Sequence, residues 1–122
     1  MMYFDGGCTP NPGMMEVCVV IDDKAHHQTQ IGKGTNNQAE WLSLLWGLEL
    51  AVKAGITDVE IRGDSMLVVN QANGVWQCRD AHLKTFLAEY HQLRKKFNRV
   101  NLVHVRRAQN LAGIAIEKAQ KG

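Results

Sequence analysis

Long apolar runs, a leader-like opening and a regular cysteine pattern are all missing from this chain of 122 residues. No stretch approaches the roughly 18 apolar residues that a membrane-spanning helix needs, so we expect no membrane contact. The opening MMYFDGG has no basic start and no long apolar segment, so we expect no signal peptide. The three cysteines, Cys8, Cys18 and Cys78, are odd in number and form no CxxC pair. They predict free thiols in a reduced, cytoplasmic protein and exclude a zinc site.

A strong excess of either charge is also absent, because the formal net charge is only +2. The charges are nevertheless uneven: residues 1–61 hold three basic and eight acidic side chains, whereas residues 62–122 hold eleven basic and four acidic ones. The basic half is either a solvated helix face or a phosphate-binding surface beside an acidic site. With 45% apolar and 21% charged residues, the composition predicts one globular domain, residues 1–122.

Hydrophobic periodicity predicts an α/β fold with the element order βββ-α-β-α-α-β-α. Short turns join the first three strands into an antiparallel meander, and the two later strands alternate with helices and are expected to lie parallel. This gives a five-stranded mixed sheet flanked by helices. We expect strands at 1–4, 14–21, 25–31, 59–62 and 100–105, and helices from the segment TNNQAE to residue 54, at 64–73, at 79–97 and from residue 111.

Three carboxylates fall at element boundaries. Asp5 ends the first strand, Glu40 lies in the first turn of the first long helix, and Asp64 ends the fourth strand. If the first and fourth strands are parallel neighbours, their carboxyl ends bring Asp5 and Asp64 together, and the helix can add Glu40. Three converging carboxylates need a counter-charge, which hard divalent cations supply. Taken singly, the same residues are an ordinary turn aspartate, a helix-dipole glutamate and a helix N-cap.

The segments around these carboxylates resemble the type 1 ribonuclease H family. The resemblance is carried by Asp5-Gly6-Gly7-Cys8 followed by Asn11-Pro12-Gly13, by TNNQAE ending at Glu40, and by Gly63-Asp64-Ser65. It covers almost the whole chain in the same element order. It implies the ribonuclease H-like fold and endonucleolytic cleavage of the RNA strand of RNA–DNA hybrids, leaving a 5′ phosphate. It also implies two Mg²⁺ ions, with Mn²⁺ as a substitute, held by the catalytic residues Asp5, Glu40 and Asp64 beside Gly6.

The same resemblance implies a set of residues that contact the hybrid. Amide side chains suit this task, because they both donate and accept hydrogen bonds to the 2′-hydroxyls displayed in an A-form minor groove. For the asparagines and glycines the alternative is a role as turn formers, and for Trp76 it is a cap on the core between helices. The predicted substrate-binding residues are Gly7, Cys8, Asn11, Asn36, Asn37, Gln38, Ser65, Trp76, Arg107 and Asn110. Arg107 is expected to steer the scissile phosphate or assist product release.

The chain departs from the family pattern near its terminal helix, where the family has a fourth carboxylate. Matching on Asn110 puts Ile114 at that position, and a one-residue deletion puts Gly113 there. Neither side chain binds a metal; Glu117 lies one turn further on, and Asn110 is near enough to offer its side-chain oxygen. Two hypotheses follow: a monomeric nuclease of reduced activity without an obligate protein partner, or a catalytically impaired module that binds hybrids or duplexes.

Overall fold

The computed structural model describes residues 1–121, and its elements follow the predicted order with one added strand. The predicted domain, 1–122, therefore ends one residue beyond the described part. The strands are β1 (Met2–Cys8), β2 (Gly13–Ile21), β3 (Lys24–Gln28), β4 (Lys33–Gly34), β5 (Asp58–Gly63) and β6 (Arg99–His104). The helices are α1 (Asn36–Lys53), α2 (Met66–Ala72), α3 (Ala81–Arg94) and α4 (Leu111–Lys121), with a 3-10 turn at Arg107–Gln109 before α4.

The main sheet has the strand order β3-β2-β1-β5-β6. β1 to β3 pair antiparallel, whereas β1 pairs with β5 and β5 with β6 in parallel, so the predicted mixed sheet is confirmed. The third strand ends at Gln28 rather than at residue 31, and the added strand β4 pairs with β2. Positive φ angles at Gln30 (52°) and Gly32 (132°) turn the chain, so pairing with β2 is interrupted and then resumes.

Local side-chain chemistry sets the ends of the helices. Thr35 caps α1 in a capping box with Gln38, and Gly55, at a φ of 76°, follows its last turn. Helix α3 is shorter than the predicted 79–97, because the Asp80 carboxylate accepts the free N–H groups of His82 and Leu83 and so starts the helix at Ala81.

The helices cover both faces of the sheet. On one face α1, α2 and α3 bury the larger core, which includes Phe4 and Trp41. On the other face α4 contributes Ala112 and Ile116 to a smaller cluster with Cys18. Since side chains alternate along a strand, Asp5, which pairs with Cys18 across β1 and β2, lies on the α4 face. Helix α4 therefore closes one side of the region around Asp5.

Two of the expectations from composition can be compared with the structure. All three cysteines are free and buried, as predicted. Among the helices of the described residues, none has both the length and the apolar character needed to cross a membrane.

Candidate active site

Parallel pairing of β1 with β5 places two of the predicted carboxylates side by side. Met2 lies opposite Ile61 and Tyr3 opposite Arg62. The same offset brings Asp5 next to Asp64, which directly follows β5. Asp5 lies inside β1, which continues to Cys8, so the prediction that Asp5 ends the first strand is wrong. Each of these two and Glu40 offers an oxygen within 4.8 Å of the others, so the structure brings the three predicted carboxylates together.

Glu40 reaches this point because Gly6 lets helix and strand approach closely. Helix α1 begins at Asn36, so Glu40 lies beyond the first turn in which it was predicted. A Cβ on Gly6 would overlap the Ala39 carbonyl oxygen and lie 2.5 Å from the Ala39 carbonyl carbon. Without it, the Gly6 N–H donates to Glu40 Oε1 at 2.9 Å. The glycine therefore both admits the helix and orients the carboxylate.

Burial makes the ionised forms of these acids costly. Desolvation raises the pKa of Asp5, and it raises the pKa of Glu40 well above its usual range, with the neighbouring Asp5 adding to that shift. Asp5 Oδ1 and Glu40 Oε2 are buried without any hydrogen-bond partner. Because ionised carboxylates only accept hydrogen bonds, a shared proton or a cation is needed to satisfy them. An all-oxygen set of this kind fits a hard divalent ion.

Arg107 lies inside the carboxylate cluster, rather than only beside it as predicted for a phosphate-steering residue. Its Nη1 is 2.8 Å from Asp5 Oδ2 and 3.1 Å from Asp64 Oδ2, and its Nε is 3.5 Å from Glu117 Oε1. Partial burial alone would lower the pKa of Arg107, but Asp5 and Asp64 outweigh this effect and raise it. The guanidinium is therefore a permanent positive charge among the acids.

Gly113 provides the space for that guanidinium. A Cβ at Gly113 would lie 2.8 Å from Arg107 Nη1 and 3.0 Å from Arg107 Cζ. An added Cβ at Gly113, one of the two positions considered for the missing fourth acid, would meet the guanidinium that binds Asp5 and Asp64. Ile114 is half-buried, and in the described part of the chain neither position lines the cavity around the carboxylates.

Asn110 reaches the site through its amide nitrogen, so the expectation that it offers its oxygen is wrong. Its Nδ2 donates to Asp64 Oδ2 at 2.9 Å and to the Phe4 carbonyl at 3.0 Å. Its Oδ1 is occupied by the Ala112 N–H at 3.1 Å, in the first turn of α4. Asn110 therefore fixes Asp64 and the start of α4 together. Glu117 touches the site only through Arg107.

The site opens into two adjoining cavities. We call the first, of about 420 Å³, the acidic cleft; it is lined by Asp5, Gly6, Gly7, Cys8, Thr9, Glu16, Asn36, Glu40, Asp64, Ser65, Arg107, Ile116 and Gln120. We call the second, of about 700 Å³, the amide groove; it is lined by Asn11, Pro12, Thr35, Asn36, Asn37, Gln38, Asp80, His82 and Leu83. Asn36 lines both, so the two cavities adjoin at this residue.

The predicted groove residues also hold one another in place. Asn11 Oδ1 accepts from the Asn36 N–H at 3.1 Å, and Asn36 Oδ1 accepts from the Cys8 N–H at 3.0 Å. Gln38 Oε1 accepts from the Thr35 N–H at 2.9 Å in the capping box. With their oxygens used in this way, these amides keep their NH₂ donors for a ligand. Asn37 is exposed and lines the groove.

Two results differ from the site expected from sequence. Trp76 lines neither cavity and is 44% exposed, which argues against a core cap and places it outside both the acidic cleft and the amide groove. Conversely, Asp80, His82 and Leu83 form a groove wall that was missed. Their only sequence signal is the N-cap pattern at Asp80, more than forty residues from the asparagines that they face.

The chain matches a family model and curated proteins over most of its length. The model described as "Reverse transcriptase-like" matches residues 4–119. Ribonuclease HI of Halobacterium salinarum is 38% identical over 113 residues, which are 88% of this chain and 57% of that protein. A bifunctional protein of Mycobacterium tuberculosis is 36% identical over 112 residues, which are 87% of this chain and 31% of that protein. The chain therefore spans less than two thirds of the length of these curated relatives.

Solved structures agree with this assignment. The crystal structure of RNase H1 from Halobacterium salinarum has a TM-score of 0.87 at 36% identity, covering 99% of this chain and 97% of that one. LC11-RNase H1 in complex with an RNA/DNA hybrid has a TM-score of 0.84 at 32% identity, with coverages of 98% and 97%. The N-terminal RNase H domain of the mycobacterial protein, solved as a fusion with maltose-binding protein, has a TM-score of 0.83 at 34% identity, with coverages of 98% and 96%. The chain belongs to the type 1 ribonuclease H family.

Proposed function

We propose that this chain is a metal-dependent endonuclease that hydrolyses the RNA strand of RNA–DNA hybrids and leaves 5′ phosphates. The observation that carries the proposal is the convergence of Asp5, Glu40 and Asp64, with two buried oxygens lacking partners, in a cleft that adjoins a groove lined by amides. The relative LC11-RNase H1 was solved with an RNA/DNA hybrid, which supports the substrate class. We further propose a cytoplasmic monomer without an obligate protein partner.

The cation is proposed to be Mg²⁺, with Mn²⁺ as a substitute. Asp5, Glu40 and Asp64 would hold it, and the Gly6 N–H keeps Glu40 in position. A bound divalent ion lowers the pKa of water and neutralises charge on the phosphate. The protein keeps two of its ligands buried and poorly hydrated, which disfavours their ionisation until a cation compensates it.

The chain's own residues bind and orient the duplex. The oxygens of Asn11, Asn36 and Gln38 are held by backbone N–H groups, so these side chains have a fixed orientation at the groove that they line and keep NH₂ donors for a ligand. Fixed donors suit the 2′-hydroxyl oxygens of an RNA strand, which a DNA strand lacks. Gly7 leaves open space where a side chain would begin, since a Cβ there would meet only Asn36 Oδ1, at 3.5 Å, so a sugar can approach its backbone.

The alternative function, a hybrid- or duplex-binding module with impaired catalysis, is favoured by one specific observation. A side chain at Gly113 would begin next to the guanidinium of Arg107, which is itself paired with Asp5, so the chain has a cation where the family resemblance implies a fourth acid. We expect this to slow cleavage rather than abolish it, because Asp5, Glu40 and Asp64 remain together.

The test is incubation of the protein with an end-labelled RNA–DNA hybrid in Mg²⁺ or Mn²⁺, beside an EDTA sample and an Asp5→Asn variant. We expect cleavage of the RNA strand only, with 5′-phosphate ends, at a rate below that of a relative with four carboxylates. Loss of cleavage in EDTA and in the variant would support the assignment to this site. A protein that retards the hybrid in a gel but never cleaves it would instead support the binding module.

A further inference from the structure

The oxygens of the carboxylate cluster fall into two groups with different partners. Asp5 Oδ2 and Asp64 Oδ2 already bind Arg107 Nη1, at 2.8 and 3.1 Å. Asp5 Oδ1 and Glu40 Oε2 are buried without a partner. One side of the cluster is therefore occupied by a cation that belongs to the chain, and the other side has buried carboxylate oxygens to which no group of the described residues is bound.

The occupied side is built to hold the guanidinium. Gly113 leaves the space that any Cβ would take, since that atom would lie 2.8 Å from Arg107 Nη1. Glu117 Oε1 lies 3.5 Å from Nε on the outer side, so acids flank the guanidinium at both ends. Asn110 Nδ2 holds Asp64 Oδ2 at 2.9 Å, which keeps that oxygen directed at the same place.

Charge balance limits what else the site can take. Asp5, Glu40, Asp64 and Arg107 together carry a charge that a single divalent ion neutralises, and Glu117, at the outer side of the guanidinium, adds one more negative charge. A second divalent ion would have to displace the guanidinium from Asp5 and Asp64 without a fourth acid to bind it. Like charges at such short distances repel strongly where water is excluded.

We propose that this site takes one divalent cation, on the Asp5–Glu40 side, and that the guanidinium of Arg107 is a built-in second cation on the Asp5–Asp64 side. A single divalent cation differs from the two Mg²⁺ ions that the family resemblance implies. What the single cation means for catalysis rests on the proposed function. Two features fit together: the glycine at residue 113 leaves room beside the carboxylates, and the guanidinium that fills this room supplies positive charge.

Arg107 then has two effects of opposite sign. It repels the incoming divalent ion and shares a ligand with it, so it weakens metal binding. It also supplies fixed positive charge next to the place where a phosphate would lie, so it assists the reaction. A residue with a merely structural role would not produce this combination.

The first experiment counts Mn²⁺ ions on the free protein, by calorimetry and by the electron paramagnetic resonance signal of unbound Mn²⁺. The count is repeated on the complex with a hybrid whose RNA strand carries cleavage-resistant phosphorothioates. We expect one ion per wild-type chain in both states. Arg107→Ala should bind its ion at least about tenfold more tightly, because a nearby positive charge is removed. Arg106→Ala, a neighbouring exposed arginine, is the matched control and should leave the affinity unchanged.

The second experiment restores the missing acid. The double variant Arg107→Ala with Gly113→Asp should bind two ions in the hybrid complex, because the new carboxylate faces the vacated space. Arg107→Ala with Ile114→Asp should still bind one. Should the Gly113→Asp chain fail to fold, as judged by its melting transition, the affinity of Arg107→Ala alone decides the matter.

The outcomes separate this inference from the proposed function. Two Mn²⁺ ions on the wild-type protein, or an unchanged affinity in Arg107→Ala, would overturn the inference even if the hybrid is cleaved. One ion, with tighter binding in Arg107→Ala, would uphold the cation assignment even if no cleavage is found. Where cleavage is found, Arg107→Ala should bind metal more tightly yet cleave more slowly; faster cleavage would refute the role of the guanidinium as a second cation.

Discussion

Replacing Gly6 by alanine is expected to damage both the fold and the metal site, because this glycine lies where α1 crosses β1. The added Cβ would overlap the Ala39 carbonyl oxygen, lie 2.5 Å from the Ala39 carbonyl carbon and lie 3.0 Å from the Glu40 nitrogen. All of these are backbone atoms of a helix, so no side chain can rotate to relieve the overlap. Restoring an ordinary contact requires the helix to move by about 1 Å.

The cost of this substitution has two parts. Overpacking against a rigid neighbour costs about 1–3 kcal/mol. The Gly6 N–H to Glu40 Oε1 bond, now 2.9 Å, would lengthen as the helix withdraws. Losing such a bond costs a further 0.5–1.5 kcal/mol or so. We therefore expect the free energy of unfolding to fall by about 1.5–4.5 kcal/mol. Mn²⁺ binding should weaken as well, since Glu40 moves away from Asp5.

Gly7→Ala is the matched control, because the next glycine on the same strand has room for a side chain. A Cβ at Gly7 would meet only Asn36 Oδ1, at 3.5 Å, which is an ordinary contact. In urea denaturation with EDTA present, Gly7→Ala should unfold within about 0.5 kcal/mol of the wild type or be slightly more stable. If Gly6→Ala and Gly7→Ala have the same unfolding free energy, the helix–strand contact does not determine the position of Glu40, and this reasoning is wrong.

Further predictions concern pH and the groove. Burial raises the pKa of Asp5 and Glu40. The folded state therefore holds protons that the unfolded state releases near pH 4. The metal-free protein should lose stability as the pH rises from about 4 through the raised pKa values of these two carboxyl groups. Glu40→Gln should flatten that slope in EDTA melting curves, and an unchanged slope would contradict it. Asn37→Ala should change unfolding by less than about 0.5 kcal/mol while weakening hybrid cleavage up to about tenfold. Gln38→Ala should cost about 1 kcal/mol in denaturation, because it removes the capping-box bond to Thr35; a larger loss in Asn37→Ala would make that residue structural.

The sequence predicts that Asp5 and Asp64 lie side by side, for a topological reason, although Asp5 lies inside β1 rather than at its end. Alternation of strands and helices requires parallel neighbours, and parallel strands present their carboxyl ends at the same edge. The position of Glu40 depends instead on a contact 34 residues away, at Gly6. Composition shows that glycine is present, but only the crossing of α1 over β1 shows why it is needed.

The sequence predicts the start of α4 at residue 111, but it leaves open whether Gly113 or Ile114 takes the place of the fourth acid. A one-residue shift there rotates a side chain by about 100° around the helix axis. Asn110 anchors the helix to Asp64 and Phe4, and this anchor sets which residue faces the carboxylates. The result favours Gly113 over Ile114. The ion pairs of Arg107 were missed for a related reason: they join a 3-10 turn to two strands that are far away in sequence.

Asn36 and Glu40 lie four residues apart, so they occupy one face of α1 at a separation of about 6 Å along its axis. The helix therefore fixes the distance between Asn36, where a ribose would be recognised, and Glu40, near which a phosphate would be cut. A tilt of the helix over residues 36–40 would move Asn36 and Glu40 together. Strand preference can therefore be altered without moving Glu40 only at residues that line the amide groove outside α1, namely Asn11, Asp80 and His82.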